Sequence, residues 1–375
     1  MRLGTHIPSF AKAAQELAFF TGTTLHPDTI RRRTEAAGAL LVAHETAVVA
    51  QVLATHPPPP PGPDTLVFSV DGAMVPLVHG AWTEVRTLAV GVVEPPTARQ
   101  PQPHTTQISY FSRRVTSDAF AEAASGELHR RGLETARRVG AVVDGAVWCQ
   151  QFIDTHQPDA VRILDFPHAA EYLTAVGQAV GPDGPLRTPA QVAAWRQTLR
   201  QDGPDLVLTE IRTLAAAHPQ LEVVTKALAY RESRVAQLQY PQFQAAGWPI
   251  GSGMVESANK LVVEDRLKGA GMHWAPANVN PILALRNAVS NDRWNEAWAT
   301  ITVAAQEQVV ATRAARRQRH RERHPCAAAQ PAAMAPAPSP PAPRHAPGTD
   351  GRPTTHPWRR AWSIRQQRKA ADARA

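Results

Sequence analysis

Cysteine is close to absent. The 375 residues hold two, Cys149 and Cys326, in unlike contexts and without metal-ligand spacing between them. That excludes a disulfide framework and a cysteine-built metal centre, and it fits a reducing compartment. Also missing is any run approaching eighteen apolar residues, and no signal peptide is seen, so a soluble chain that is not exported and meets no membrane is expected. Lysine is scarce beside arginine. Acids are the minority charge, with Lys+Arg 40 against Asp+Glu 32 and a formal net charge of +8. A basic excess predicts an anionic partner, most often nucleic acid. The alternative is an arginine-rich composition with no consequence for binding. Much of the charge gathers at 31–33, 313–323 and 359–369. The hydrophobic share of 43% is that of a globular protein with a large core.

Residues 1–50 read as helices. Phe10 to Phe20 carries apolar residues at helical spacing, Gly22 breaks it, and Thr29 to Leu40 forms a second stretch bearing Arg31, Arg32 and Arg33. A helix, a glycine turn and an arginine-bearing helix have the form of a helix-turn-helix, whose second helix enters the major groove. Two packed helices without DNA are the plainer reading. Pro57 to Pro61 and Pro63 predict a stiff linker over 51–65.

From residue 66 the pattern changes to strands. The first ends at Asp71. Trp82 to Val93 and Gln107 to Val115 follow, then a helix from Ser117 to Arg138 with Ser117 or Asp118 as N-cap. A strand ending at Asp144 and another from Ala160 to Leu164 come next. The stretch from 167 to 245 is mostly helical, broken at 181–185, and reads over about 180–245 as an insertion before a helix from Glu256 to Leu267. Pro276 to Trp298 is further helix, with Trp294 and Trp298 expected in the core. The order β-β-β-α-β-α-β-α is, by analogy of pattern, that of a ribonuclease-H-like α/β fold with a mixed five-stranded sheet, here over 66–310. Residues 311–375 are basic and Ala/Pro-rich, and 325–350 lack the means to bury a core.

Three acids stand in glycine-marked contexts: Asp71 in Ser-Val-Asp-Gly, Asp144 in Val-Val-Asp-Gly, and Glu256 after Gly251-Ser252-Gly253. A carboxylate ending a buried strand is costly unless a cation meets it. Asp, Asp and Glu together have the composition of a Mg²⁺ site for phosphodiester chemistry, with Mn²⁺ as an alternative. In such a fold the strands ending at Asp71 and Asp144 are neighbours, so the two carboxylates converge. Gly72 and Gly145 would let the backbone turn away beneath a phosphate. Amides of 251–253 would be placed to hold one. Against this, Asp-Gly is a common turn dipeptide and an acid at a helix start complements the dipole. Asp165 and His168 form an Asp-x-x-His pair, with no cysteine beside it to favour zinc.

The stretches Ser69-Val70-Asp71-Gly72, Val143-Asp144-Gly145-Ala146-Val147-Trp148, 163–173, Gly251-Ser252-Gly253-Met254-Val255-Glu256 and 266–274 together carry a resemblance. Over about 60–310 the chain resembles the DDE transposases of bacterial insertion sequences, most closely the Kra-four family, with kinship to Mutator-like transposases. The resemblance implies a ribonuclease-H-like core, Mg²⁺ dependence, and cleavage and strand transfer at transposon ends. It maps the catalytic, metal-binding triad onto Asp71, Asp144 and Glu256, with Asp165 and His168 in support. Expected DNA contacts are Arg31, Arg32, Arg33, Lys260, Arg266 and Lys268. The expected partner is double-stranded DNA, bound by a homodimer or larger assembly in the cytoplasm at the nucleoid. A nuclease that cuts without joining and a non-catalytic, truncated DNA-binding remnant are the competing readings.

Overall fold

The computed structural model describes residues 1–98, 102–179 and 189–323. Cys326 and the segments 181–185, 325–350 and 359–369 singled out above lie outside them. Contacts gather Met1–Arg313 into one compact unit. Of the second unit, Ala314–Ala375, residues 314–323 are described and are helical.

Three helices come first: α1 (Arg2–His6), α2 (Phe10–Thr21) and α3 (Pro27–Thr55). Ser9 caps α2 by accepting the amides of Ala11 and Lys12, and Gly22, at φ 67°, ends it as expected. The second helix does not stop at Leu40. No breaker follows, and α3 continues through alanine, leucine and valine to Thr55. Its apolar part reaches a mean hydropathy of 1.5 over eighteen residues, long and apolar enough to cross a membrane by length and composition alone, a property that a core helix shares. Part of this stretch has a protein partner. Ala37 and Leu41 pack on Ala284, Leu285 and Ala288, and Gly38 lies against the backbone of Pro281 so closely that a Cβ would collide with it.

The proline stretch is tied down rather than free. Thr135 Oγ1 donates to the Pro60 carbonyl (2.7 Å) and accepts from the Gly62 amide (2.7 Å). Helical segment, proline stretch and sheet therefore belong to one packed unit.

The sheet holds β1 (Thr65–Pro76), β2 (Trp82–Glu94), β3 (His104–Arg113), β4 (Arg138–Val143) and β5 (Val161–Leu164), in the order β3-β2-β1-β4-β5. The first three are antiparallel, and β1–β4 and β4–β5 are parallel. The architecture is thus α/β on a mixed five-stranded sheet. Several boundaries differ from expectation, among them β3, which runs His104–Arg113. β1 runs past Asp71 to Pro76, held by pairing with β2 as far as Pro76↔Trp82. The helix after β3, α4 (Ser117–Arg130), is capped by Thr116 and stops eight residues early. Gly132 at φ 67° then turns the chain into β4.

Side chains alternate along the strands, so each face has its own core. Leu66, Phe68 and Val70 of β1 and Ala141 and Val143 of β4 meet Phe120 and Leu128 of α4 and Phe152 and Ile153 of α5 (Val147–His156). On the opposite face Val67, Val142 and Ile163 meet a helical cluster. It comprises α6 (Phe166–Ala179), α7 (Pro189–Gln201), α8 (Pro204–Ala217), α9 (Glu222–Glu232) and α10 (Tyr240–Ala245). Further along that face Ala73, Val75 and Val85 pack under α11 (Gly253–Ala258), a π-helical turn at Asn259–Glu264, α12 (Asp265–Leu267) and α13 (Pro276–Ser290). The last helix, α14 (Trp294–Arg323), begins after a break at 291–293. Trp294 packs partly into the core, but Trp298, stacked on it, is 41% exposed, so only one of the pair is a core residue.

The outer edge of β3 meets a ladder of amides. Asn291, Asn287 and Asn280 of α13 and its C-cap each accept a backbone N–H and donate to a backbone C=O of one residue, respectively Tyr110, Ser112 and Arg114. Alternate residues of an edge strand turn their polar backbone outward, and here side-chain amides take the place of a sixth strand.

Candidate active site

Extending the β1–β4 register from Phe68↔Ala141 sets Asp71 level with Asp144. Strand alternation places Asp71 on the face of Ala73 and Val75, against which the helix bearing Glu256 packs. Sequence-distant acids thus lie on one side of the sheet, near enough for their charges to act on one another. Burial is the main cause that raises the Asp71 carboxyl above its ordinary value. The Gly72 amide opposes it, the charges of Asp144 and Glu256 raise it further, and His168 pulls it down. Among the described residues, no lysine or arginine forms an ion pair with Asp71, Asp144 or Glu256.

Each carboxylate is held differently. Asp71 accepts the Gly72 amide at 2.7 Å on Oδ1 and the side-chain amide of Asn259 at 2.8 Å on Oδ2. Asp144 follows the end of β4 and accepts the Ala146 amide at 2.9 Å and the buried Cys149 thiol at 3.3 Å. Burial and the neighbouring Asp144 push that thiol far up, so it is a neutral donor. Glu256 stands exposed in the first turn of α11.

The glycines divide. Gly145 turns, with φ 83°, as expected, and a Cβ there would strike Tyr230 Oη. That hydroxyl donates to the Asp144 carbonyl at 2.7 Å, while Arg234 Nη2 donates to the Gly145 carbonyl at 3.1 Å. Gly72 makes no turn. It lies within β1, where a Cβ would meet the Glu84 carboxyl. Nor do the amides of 251–253 all remain available to a phosphate, because the Ser252 amide is given to Asp165 Oδ1 at 2.6 Å.

Asp165 is fully buried and joins two elements. Its Oδ2 accepts the His168 amide at 3.0 Å, three residues into the helix, which makes it the N-cap of α6, and the His168 ring Nδ1 at 2.8 Å. Burial acts to raise the Asp165 carboxyl, but the bonds from His168 and Ser252 outweigh it and leave it below its ordinary value. The His168 imidazole, hydrogen-bonded to Asp165 and near Asp144, is raised to about 9 and so is an imidazolium at neutral pH.

The expected DNA contacts fare unequally. Arg31 is paired with Asp28 (2.5 Å) and Glu35 (3.0 Å), and Arg32 with Asp28 (2.9 Å). Arg33 and Lys260 are exposed. Lys268 pairs with Glu264 at 2.9 Å. Arg266 does not belong with them: it is 1% exposed, donates to the Gly4 carbonyl at 3.2 and 3.1 Å, and lies over the rings of Phe10 and Trp274. It is a core cation, whose charge is delocalised enough to stack on aromatic faces.

The donor chemistry of the three acids suits a hard divalent ion. Their spacing is open, since among the described residues no three His, Cys, Asp or Glu side chains stand close enough together to hold a metal. Sequence reading missed Asn259, Tyr230, Arg234 and Cys149. Asn259 and Cys149 had a faint signal, lying one helical turn from Glu256 and five residues from Asp144; Tyr230 and Arg234 had none. No protein-family model matches the chain, and no curated protein matches it either.

Proposed function

We propose that the chain is a DNA transposase with a ribonuclease-H-like core, acting at the ends of an insertion sequence from the cytoplasm. The observation that carries this reading is that the register of β1 and β4 sets Asp71 level with Asp144, with Glu256 near enough for its charge to act on Asp71 and, among the described residues, no Lys or Arg ion pair to any of the three. Carboxylates so placed call for a cation, and the oxygen donors of the three acids suit Mg²⁺ or Mn²⁺. Asp71, Asp144 and Glu256 would hold it, and when bound it would activate the attacking hydroxyl and neutralise the departing oxygen.

The chain's own residues set the rest. Water attacks a scissile phosphorus, the P–O3′ bond breaks, and a free 3′-hydroxyl is left. That hydroxyl then attacks a phosphorus of the target strand, forming one P–O bond while the target's own 3′ oxygen leaves. No covalent enzyme intermediate is needed. The His168 imidazolium, beside the acids and fixed by Asp165, supplies positive charge for a non-bridging phosphate oxygen. Exposed Arg33, Lys260 and the arginines of α14 supply phosphate contacts to duplex DNA.

The test is a paired assay on DNA carrying the element's ends, in Mg²⁺ and in Mn²⁺. Nicking together with joining of the new 3′-end supports a transposase. Nicking alone supports a nuclease, and DNA binding without either supports a non-catalytic protein.

A further inference from the structure

Asn259 lies three residues after Glu256, one turn along the same helical segment, and opens its π-helical turn. It is 7% exposed. Its side-chain amide nitrogen donates to Asp71 Oδ2 at 2.8 Å across 188 residues of sequence. A carboxylate only accepts, so the nitrogen must face Asp71, and the orientation of the Asn259 amide is settled chemically. Its other end is buried without any hydrogen-bond partner. An amide free to choose would turn its oxygen toward a donor. This one is held with an orphaned acceptor, and the bond to Asp71 is what holds it.

The second Asp71 oxygen is already fixed by the Gly72 amide. With both oxygens occupied by donors, the carboxylate has one rotation. Residues i and i+3 share a helix face, so the same backbone that presents Asn259 to Asp71 presents Glu256 on that side. A π turn, which widens a helix by one residue, is a frequent feature of functional sites.

We propose that Asn259 is a positioning residue of this site, orienting the Asp71 carboxylate and locking the helix that carries Glu256 against β1. This rests on the reading of Asp71 and Glu256 as ligands of a divalent ion. It makes ion affinity, and not only stability, depend on a side chain that is itself not an acid.

The experiment measures Mn²⁺ binding to the full chain by electron paramagnetic resonance, without substrate. The variants are Asp71→Asn, Asn259→Ala and Asn259→Ser, each with its melting temperature. The proposal expects binding to be lost in Asp71→Asn and weakened about tenfold in Asn259→Ala at a temperature where the variant is folded. Serine, which keeps a short donor, should recover part of it. Loss in Asp71→Asn with wild-type affinity in both Asn259 variants overturns the positioning role and leaves the metal site standing. Wild-type affinity in Asp71→Asn removes the metal site and the proposal with it. If both Asn259 variants fail to fold, the residue is a packing element and the proposal falls.

Discussion

Tyr230 Oη donates to the Asp144 carbonyl and occupies the space a side chain at Gly145 would need. The helical insertion thus reaches back to the turn beside an acid of the candidate site. Tyr230→Phe should lose about 1 kcal/mol, the net worth of one hydrogen bond. Gly145→Ala should lose about 1–3 kcal/mol, because it adds strain at φ 83° to the collision. The two should not add: with the hydroxyl gone, part of the collision goes too, and a denaturant double-mutant cycle should give a favourable coupling. Strict additivity would mean that the tyrosine does not seat the turn.

Asp71→Asn, Asp144→Asn and Glu256→Gln should each abolish nicking while DNA binding persists. For Asp71 there is a second readout. Its carboxyl is raised in the folded chain, so the folded state binds the proton more tightly than the unfolded one. Stability then falls as pH rises from the ordinary carboxylate range through the raised value. Asp71→Asn should remove that fall and melt higher than wild type at neutral pH. Near-wild-type nicking by Asp144→Asn would remove that residue from the site.

His168 is raised from an ordinary 6.5 to about 9. Its contribution to stability is fully present below the unfolded value and is lost as pH rises through the folded one. His168→Ala should therefore flatten the decline in stability between about 6.5 and 9, and a ring-proton NMR titration of the wild type should show a midpoint near the upper end. If the imidazolium also serves a phosphate, His168→Ala lowers the nicking rate under conditions where it remains folded. A drop in melting temperature with an unchanged rate would make it structural.

Gly38 is the contact point of α3 on α13, against Pro281. Gly38→Ala should destabilise the chain by about 1–3 kcal/mol, the range for overpacking. An unchanged denaturation midpoint would show that α3 does not dock there in solution.

The exposed arginines Arg313, Arg316, Arg317, Arg319, Arg321 and Arg323 of α14 should release counterions from DNA. Each contact contributes roughly 0.9 to the slope of log affinity against log salt. Changing them to glutamine should flatten that slope and weaken binding about equally on any duplex. Arg33→Ala should instead narrow the preference for transposon ends if α3 reads bases; equal loss on random duplex would remove that role from α3.

The strands were legible because buried β-branched runs leave a local signature, and Asp71 and Asp144 were found at the Asp-Gly pairs where two of those runs end. Where the reading failed, a tertiary partner had decided. Gly72 looked like a turn, yet β2 holds it in an extended strand as far as Pro76. Arg266 looked like a phosphate ligand, yet Phe10, Trp274 and the Gly4 carbonyl hold its charge in the core. Tyr230 had no pattern to betray it, since its partner is 86 residues away and the bond is to backbone. Asn259 showed only the spacing of one helical turn.

The asparagine ladder on β3 bears on how copies of this chain can assemble. A bare edge strand recruits another strand, in dimers and in aggregates alike. At β3 the outward backbone groups of Tyr110 and Ser112 are already taken by α13 and its cap. Strand addition at Tyr110 and Ser112 is closed to the folded chain, so a dimer joined at that end of β3 would have to use side chains. Protection lasts only while α13 is docked. During refolding β3 forms from residues that precede α13 by more than a hundred positions, and an intermediate with an undocked helix exposes a template to its neighbours. Refolding yield should accordingly fall as protein concentration rises, more steeply when Asn287 is replaced by alanine.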